Sequence, residues 1–408
     1  MKIKNCRNCN SNFLKKLFSL GNLSFTGKFP NKINANVKKD ELTLVKCNKC
    51  NLVQLNKNFN ANFLYGDDYG YRTGINNTMT QHVKNIVDQV IKLTKLKKNE
   101  TVLDIASNDG TLLNFYPKEI ITAGIDPLIY KYKKFYKKIN FKISNFFNLK
   151  DIKKLHINKF KIITALSVFY DLENPNVFLK TIKEILDKEG VFILEHTDLL
   201  SIIKKNLFDT ICHEHLEYYS SQNIIEMVKK NKLKVFNIKK NNINGGSCCY
   251  YICHSEKKLK IKNKNINLIL NEEKKYKLTS INTYKKFFKT INKYKINLIN
   301  KIQEIKNKKE VIHGYGASTK GNVLLQFYGI NSNDIKMIAD RNPMKNNRYT
   351  PGSKIKIVNE NISRKLKPDY YLVLPWHFKK EIIKREKKFV KKGTKFIFPL
   401  PKLEVISV

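Results

Sequence analysis

The stretch VLDIASNDGTLL, Val102 to Leu113, decides the fold. With the preceding threonine it opens as TVLDIA, an apolar run that reads as a buried strand with Asp104 at its end. Ser107, Asn108, Asp109 and Gly110 then form a turn, and a short helix is expected after it. Small residues at such a corner let a ligand approach the backbone, and a helix N-terminus offers N–H groups with no partner inside the helix. Further on, Gly124-Ile125-Asp126-Pro127 places a second carboxylate at the end of a second strand, where it can accept hydrogen bonds from both hydroxyls of a ribose. The GxGxxG fingerprint is absent, which argues against NAD.

The alternation continues on both sides of this corner. FKIITALSVF and GVFILEHTD are two more strands, with a helix over Asn174–Leu186 between them; KLKVFNIK and GGSCCYYICHS read as a closing strand pair. Parallel strands joined through helices and finished by a hairpin give an α/β core over residues 71–255, with the layout of class I methyltransferases. Residues 256–308 repeat Ile, Leu and Tyr at helical spacing within a Lys-rich segment and read as a solvated helical connector. Residues 309–408 form a second Rossmann-like unit: EVIHGYGAS is a strand and a Gly-rich turn, KGNVLLQFYG a helix, and IKMIAD, PDYYLVLPW and TKFIFPLP are later strands. Residues 1–70 form a small domain with short strands such as LTLVKC.

Composition narrows the function. The 408 residues carry a formal charge of +44, but from 72 Lys and only 6 Arg spread along the whole chain. Nucleic-acid readers lean on Arg for bidentate contacts, so this charge argues for compositional drift and anionic small substrates rather than nucleic acid. No apolar run is long enough for a membrane span, and the N-terminus lacks a signal-peptide core; a soluble, cytoplasmic protein is expected. Four of the eight cysteines form two CxxC pairs, Cys6/Cys9 and Cys47/Cys50. Two such pairs supply a closed tetrahedral set of thiolates, which suits a structural zinc ion. In the C-terminal unit Gly314, Gly316 and Gly321 free the backbone, while Ser318, Thr319 and Lys320 add donors and a cation suited to a phosphate or diphosphate.

These parts, in this order, resemble the three-domain sugar C-methyltransferases that branch nucleotide-linked deoxysugars. The resemblance covers essentially the whole chain. It rests on the CxxC pairs, YGYRTG (Tyr69–Gly74), VLDIASNDGTLL, SVFYDLENP, FDTICHEHLEYYS (Phe208–Ser220), NGGS (Asn244–Ser247), GYGASTKGN and TPGSKI (Thr350–Ile355). It implies a zinc-binding N-terminal domain and a C-terminal Rossmann-like, nucleotide-sugar-binding domain flanking a core that binds S-adenosylmethionine (SAM), here through Asp104, Ser107, Asn108, Asp109, Gly110 and Asp126. The substrate it implies is a 4-keto-deoxysugar on a nucleotide, methylated next to the ketone. Such chemistry needs a base for a weakly acidic C–H and a group to stabilise the enolate. By resemblance His215 is the base and Glu214 the carboxylate beside it. Cys212 stands where the family carries Tyr, so an acid or oxyanion donor is expected from the thiol or from Tyr69 or Tyr71, with Tyr71 favoured. Tyr170 matches a position near the methyl-transfer centre, and His196 and Tyr69 are placed near the substrate, with Gly316, Ser318, Thr319 and Lys320 around the nucleotide.

Other readings of the residues remain open. His213 and His215, two apart, would share a face if extended and could hold a metal with Glu214 or Cys212. A SAM-dependent O- or N-methyltransferase, or a zinc-ribbon nucleic-acid binder, would also fit parts of the pattern.

Overall fold

Both strand–turn corners of the sequence lie at the centre of a sheet. The computed structural model describes residues 1–66 and 69–407. In chain order its strands are β1 (Leu14–Ser24), β2 (Lys39–Cys47), β3 (Val53–Leu55), β4 (Thr101–Ile105), β5 (Ile121–Ile125), β6 (Phe141–Ile143), β7 (Phe160–Leu166), β8 (Leu186–Thr197), β9 (Glu217–Tyr218), β10 (Leu233–Asn241), β11 (Ser247–His254), β12 (Ile312–Tyr315), β13 (Ile338–Asp340), β14 (Ile357–Asn359), β15 (Tyr370–Val373), β16 (Lys395–Phe398) and β17 (Glu404–Ser407).

The central sheet has the order β10-β11-β8-β7-β4-β5-β6, with β11 antiparallel to its neighbours and the rest parallel. The chain leaves β4 toward β5 on one side and returns to β7 on the other, so Asp104 sits at the switch point where α/β sheets bind ligands. This is the class I methyltransferase layout expected from the sequence. One expectation fails: no α-helix follows the SNDG turn, only a single 3-10 turn over Leu113–Phe115. The N–H groups are spent inside the turn instead, Asn108 N on Asp126 Oδ2 (3.0 Å), Gly110 N on Ser107 O (2.8 Å) and Thr111 N on Asp109 Oδ1 (3.3 Å).

The C-terminal sheet, β14-β13-β12-β15-β16-β17, is parallel except for β17. Its switch point falls after β12, at the Gly-rich loop, and the following helix Thr319–Tyr328 is capped by Ser318, whose Oγ accepts from Gly321 N at 3.0 Å.

The N-terminal sheet is β1-β2-β3-β9. Its last strand comes from the core chain, immediately after His215, with Val53 opposite Tyr218 and Gln54 opposite Glu217. The two CxxC pairs lie on matching knuckles. Each closes with a backbone bond from an Asn in the left-handed region: Asn10 N to Cys6 O and Asn51 N to Cys47 O, both 2.9 Å, with φ 59° at each Asn. Asn tolerates that conformation because its short polar side chain carries little steric penalty there. The four sulfurs lie within 4.8 Å of one another, with Cys6–Cys50 at 3.6 Å and Cys9–Cys47 at 3.5 Å. Zinc–sulfur bonds of about 2.3 Å in a tetrahedron set sulfurs about 3.8 Å apart, so the cluster fits a structural zinc ion with no position left open.

The connector is not merely solvated. It breaks into helices Asn263–Lys275 and Ile281–Asn307. The longer helix buries Tyr284, Phe287, Ile291, Leu298, Ile302 and Ile305 in the cluster that joins the N- and C-terminal sheets, with Phe288 stacked on Phe18 at 5.0 Å. Each such side chain contributes on the order of 2 kcal/mol, so this stripe is a seam between domains. Among the described residues no helix is long and apolar enough to cross a membrane.

Because β9 completes the zinc-bound sheet, stripping the metal with a chelator, or Cys47→Ser, is expected to remove roughly 10 kcal/mol of metal-coupled folding energy and to release β9. Hydrogen exchange is expected to rise in β1–β3 and in residues 213–218 while β4, β5 and β7 stay protected. Unchanged protection at 213–218 in the metal-free protein would contradict this coupling.

Candidate active site

The three sheets close around one cavity of about 680 Å3. Both switch points open into it. Of the residues singled out from the sequence, Tyr69, Tyr71, Asp104, Ser107, Asn108, Asp126, Tyr170, Glu214, His215, Gly316, Ser318, Thr319 and Lys320 line it.

At the central switch point the turn is wound tightly, with Ala106 (φ 58°), Asn108 (φ 51°) and Gly110 (φ 73°) all in the left-handed region. For Ala this is strained backbone, held by Ala106 N and Ser107 N donating to Ile125 O at 2.8 and 3.3 Å. Asp126 accepts from Asn108 N (3.0 Å) and Leu128 N (2.7 Å), and Asp104 accepts from Thr164 Oγ1 (2.5 Å). Burial pushes the Asp104 carboxyl up to about 7 and Asp126 up to about 6. Two desolvated carboxyl groups facing one cavity suit a ligand that brings positive charge and a hydroxyl pair.

Asp109 and Gly110 do not reach this ligand space. Asp109 turns to the preceding segment, accepting from Gly74 N (3.0 Å) and pairing with Arg72 (3.3 Å). Gly110 packs against Tyr136 and Ile139, where a Cβ would come within 2.8 Å of Ile139. Asp109 thus ties the YGYRTG segment to the turn, and Gly110 lets the turn pack on Tyr136 and Ile139.

At the other end, His215 follows a turn rather than a strand, so its ring and that of His213 have different surroundings. His213 stacks on Phe25 (4.4 Å) and bonds Asp40 O at 3.3 Å, outside the cavity. The shared-metal geometry therefore does not form. His215 Nδ1 donates to Thr210 O at 2.7 Å, and its ring lies 4.2 Å from that of Tyr170. A carbonyl only accepts, so Nδ1 carries the proton and Nε2 is left with a free lone pair. Burial, then the nearby charge of Lys320, pushes the imidazole down to about 3, which keeps it neutral.

Glu214 Oε2 accepts from Thr26 Oγ1 at 3.3 Å, while its buried Oε1 has no hydrogen-bond partner. Burial pushes this carboxyl up. The loop that brings Thr26 passes so close that a Cβ on Gly27 would fall within 2.4 Å of Glu214 Oε1. Cys212 is 0 % exposed, belongs to the apolar cluster, and does not line the cavity. Burial pushes its thiol up, so it is no acid for this site. His196 also stays outside: its Nδ1 donates to Thr197 O (3.0 Å) and its ring stacks on Tyr250 at 5.5 Å.

Several further lining residues lie outside the motifs of the sequence. Asp171 accepts from Tyr65 Oη at 2.7 Å, and His377 and Asn244 stand near Lys320, whose Nζ donates to Asn244 O at 3.0 Å. Arg72, Arg341 and Arg385 also border the cavity. A signal for these was present: in a chain with only 6 Arg, three of them gather here, where a planar fork of donors has geometric value.

Three family profiles match the chain in order: a zinc binding domain over residues 6–65, a methyltransferase domain over 79–237 and a C-methyltransferase C-terminal domain over 242–401. The chain is similar to the C-methyltransferase NovU of Streptomyces niveus, 25 % identical over 384 residues, which cover 90 % of this chain and 87 % of that protein. Among solved structures it is similar to an S-adenosylmethionine-dependent methyltransferase from Clostridium acetobutylicum ATCC 824 (13 % identity, 43 % of this chain and 92 % of that one, TM-score 0.35). It is also similar to magnesium protoporphyrin IX methyltransferase from Synechocystis PCC 6803 with bound SAM (12 % identity, 43 % and 79 %, TM-score 0.34).

Gly27→Ala is expected to push the Glu214 carboxylate out of place. Displacing a group in the site by about 1 Å costs on the order of 10²-fold in turnover, whereas the overpacking itself costs about 1–3 kcal/mol of stability. Turnover assays beside thermal melts separate the two, and normal turnover in a folded Gly27→Ala protein would show that Glu214 needs no such placement.

Proposed function

We propose a substrate and a chemistry for a chain that belongs to the three-domain, zinc-binding family of SAM-dependent C-methyltransferases. It methylates a carbon next to the ketone of a nucleotide-linked 4-keto-deoxysugar, by way of an enolate that His215 generates. SAM, when bound, supplies the electrophilic methyl group. Asp126 would accept from its ribose hydroxyls and Asp104 would face its positive charge, with Ser107 and Asn108 forming the floor.

The observation that carries the reading is the fixed tautomer of His215. With Nδ1–H committed to Thr210 O, the Nε2 lone pair is free to take a proton from a C–H in the cavity. Burial keeps the imidazole in its neutral, base form. Glu214 Oε1, buried without a partner, accepts a sugar hydroxyl and orients the ring. Tyr170 packs beside His215 and shields the reacting carbon from water, while Tyr69 and Tyr71 close the same side. Gly316, Ser318 and Thr319 stand at the N-terminus of the helix Thr319–Tyr328, with Arg341, Lys345 and Arg385 beside them, and this set suits the nucleotide diphosphate.

Two measurements test the reading. In deuterated water the wild-type protein is expected to exchange the α-proton of a 4-keto-sugar nucleotide, and His215→Ala to lose about 10²–10⁴-fold of that rate; normal exchange in the variant would remove His215 from the role. For the cofactor end, calorimetric affinity for S-adenosylhomocysteine is expected to be constant well above pH 6. Below about 6 it falls roughly tenfold per pH unit, because binding draws on the ionised Asp126 whose carboxyl burial has raised. Asp126→Asn removes that slope; a wild-type affinity that does not change with pH would contradict the assignment.

A further inference from the structure

The cavity wall carries five Lys and Arg side chains, and four are balanced by a carboxylate. Arg72 pairs with Asp109 at 3.3 Å, Arg341 with Glu381 at 3.6 Å, Lys345 with Asp340 at 3.9 Å and Arg385 with Glu360 at 2.8 Å. Lys320 is the exception: among the described residues it forms no ion pair, and its hydrogen bond goes to a neutral acceptor, Asn244 O, at 3.0 Å. An ammonium has three donors, so Lys320 keeps donor capacity at the cavity wall; burial pushes its pKa down and the field of Asp209 holds it up. The nearby acid, Asp209, accepts from Trp376 Nε1 at 2.8 Å through Oδ2 and makes no hydrogen bond to Lys320; burial pushes its carboxyl up and the charge of Lys320 draws it down.

The position of this charge identifies its anion. The helix that carries Lys320, Thr319–Tyr328, packs on the turn Phe208–Thr210, whose Thr210 O holds His215 Nδ1 at 2.7 Å, so the ammonium lies at the base's end of the cavity, where its field depresses both His215 and His377. In an α-deprotonation the oxygen that becomes negative is bonded to the carbon next to the one that loses its proton. The oxyanion donor must therefore stand close to the base, whereas a diphosphate on the anomeric carbon sits further round the ring. The thiol of Cys212, which occupies the expected acid's place in the sequence, is buried away from the cavity, and Tyr69 and Tyr71, which line it, offer only neutral phenols that burial pushes up.

We propose that Lys320 is a catalytic residue, its ammonium donating a charge-assisted hydrogen bond to the substrate's ketone oxygen as His215 removes the α-proton. This rests on the enolate reading above. The C–H electron pair forms the new C=C bond, the carbonyl π pair moves to oxygen as a lone pair, and the proton goes to His215 Nε2. The new negative charge lies against Lys320. It offsets the field that depresses His215 in the free site, so the imidazole gains basicity as the proton arrives.

The test is Lys320→Met in the full-length protein, read by α-proton exchange at saturating sugar nucleotide, sugar-nucleotide affinity and S-adenosylhomocysteine affinity. Exchange is expected to fall ~10²–10³-fold, the loss seen when one oxyanion donor is removed, with both affinities little changed. Loss of sugar-nucleotide affinity with exchange intact at saturation would overturn the proposal and make Lys320 a diphosphate ligand; unchanged exchange and affinity would overturn it outright. If Lys320→Met does not fold, Lys320→Gln, which keeps donors for Asn244 O but no charge, carries the same expectations. A wild-type protein that methylates carbon without exchanging the α-proton would instead strike at the enolate reading, and the role of Lys320 would fall with it.

Discussion

Leu216, the residue after His215, is held by its backbone from two sides. Its N–H donates to Tyr170 O at 2.7 Å, and its carbonyl accepts from Leu55 N at 2.8 Å. The first bond ties it to the loop after β7 of the central sheet, the second to β3 of the zinc-bound sheet. Arg7, inside the first CxxC pair, bonds Leu55 O (2.8 Å), Lys57 O (2.7 Å) and, more weakly, Leu216 O (3.4 Å). The metal-binding domain therefore does more than fold on itself: through this short strand it fixes the residue next to His215. Buried backbone groups are costly to leave unpaired, so the segment has little freedom to slip.

The C-terminal domain is fastened to the same place by another route. Gln326 exchanges two hydrogen bonds with Ser24 (2.7 and 3.1 Å), and Asn322 Nδ2 donates to Thr26 O at 2.7 Å. Thr26 in turn bonds Glu214. Two Rossmann-like units thus present their switch points to one cavity because the N-terminal sheet lies between them as a shared wedge. One cavity is thus lined at once by the core, the C-terminal Gly-rich loop and the HEH segment.

Much of this was legible in the sequence because it depends on local rules. The buried strand TVLDI, the closing hairpin and the CxxC knuckles follow from periodicity and spacing, and all three form as read. The helix after SNDG did not form, since Asp126 and Asp109 take up its first N–H groups and divert the chain into a 3-10 turn. The connector helix hid its role because its apolar stripe is diluted by Lys. The pairing of β9 with β3 could not be read at all: it joins residues far apart in the chain through two residues of strand. Cys212 and His196 looked chemical by type but are core by packing, whereas Asp171 and His377 become visible only once the domains meet.

The chemistry turns on delivery of the methyl group to carbon. It is tested most directly by NMR of the product formed from methyl-13C-labelled SAM and a uniformly 13C-labelled 4-keto-sugar nucleotide. A one-bond carbon–carbon coupling is expected between the new methyl and the ring carbon next to the ketone. A transferred methyl without any one-bond carbon coupling, bound to oxygen or nitrogen, would contradict it.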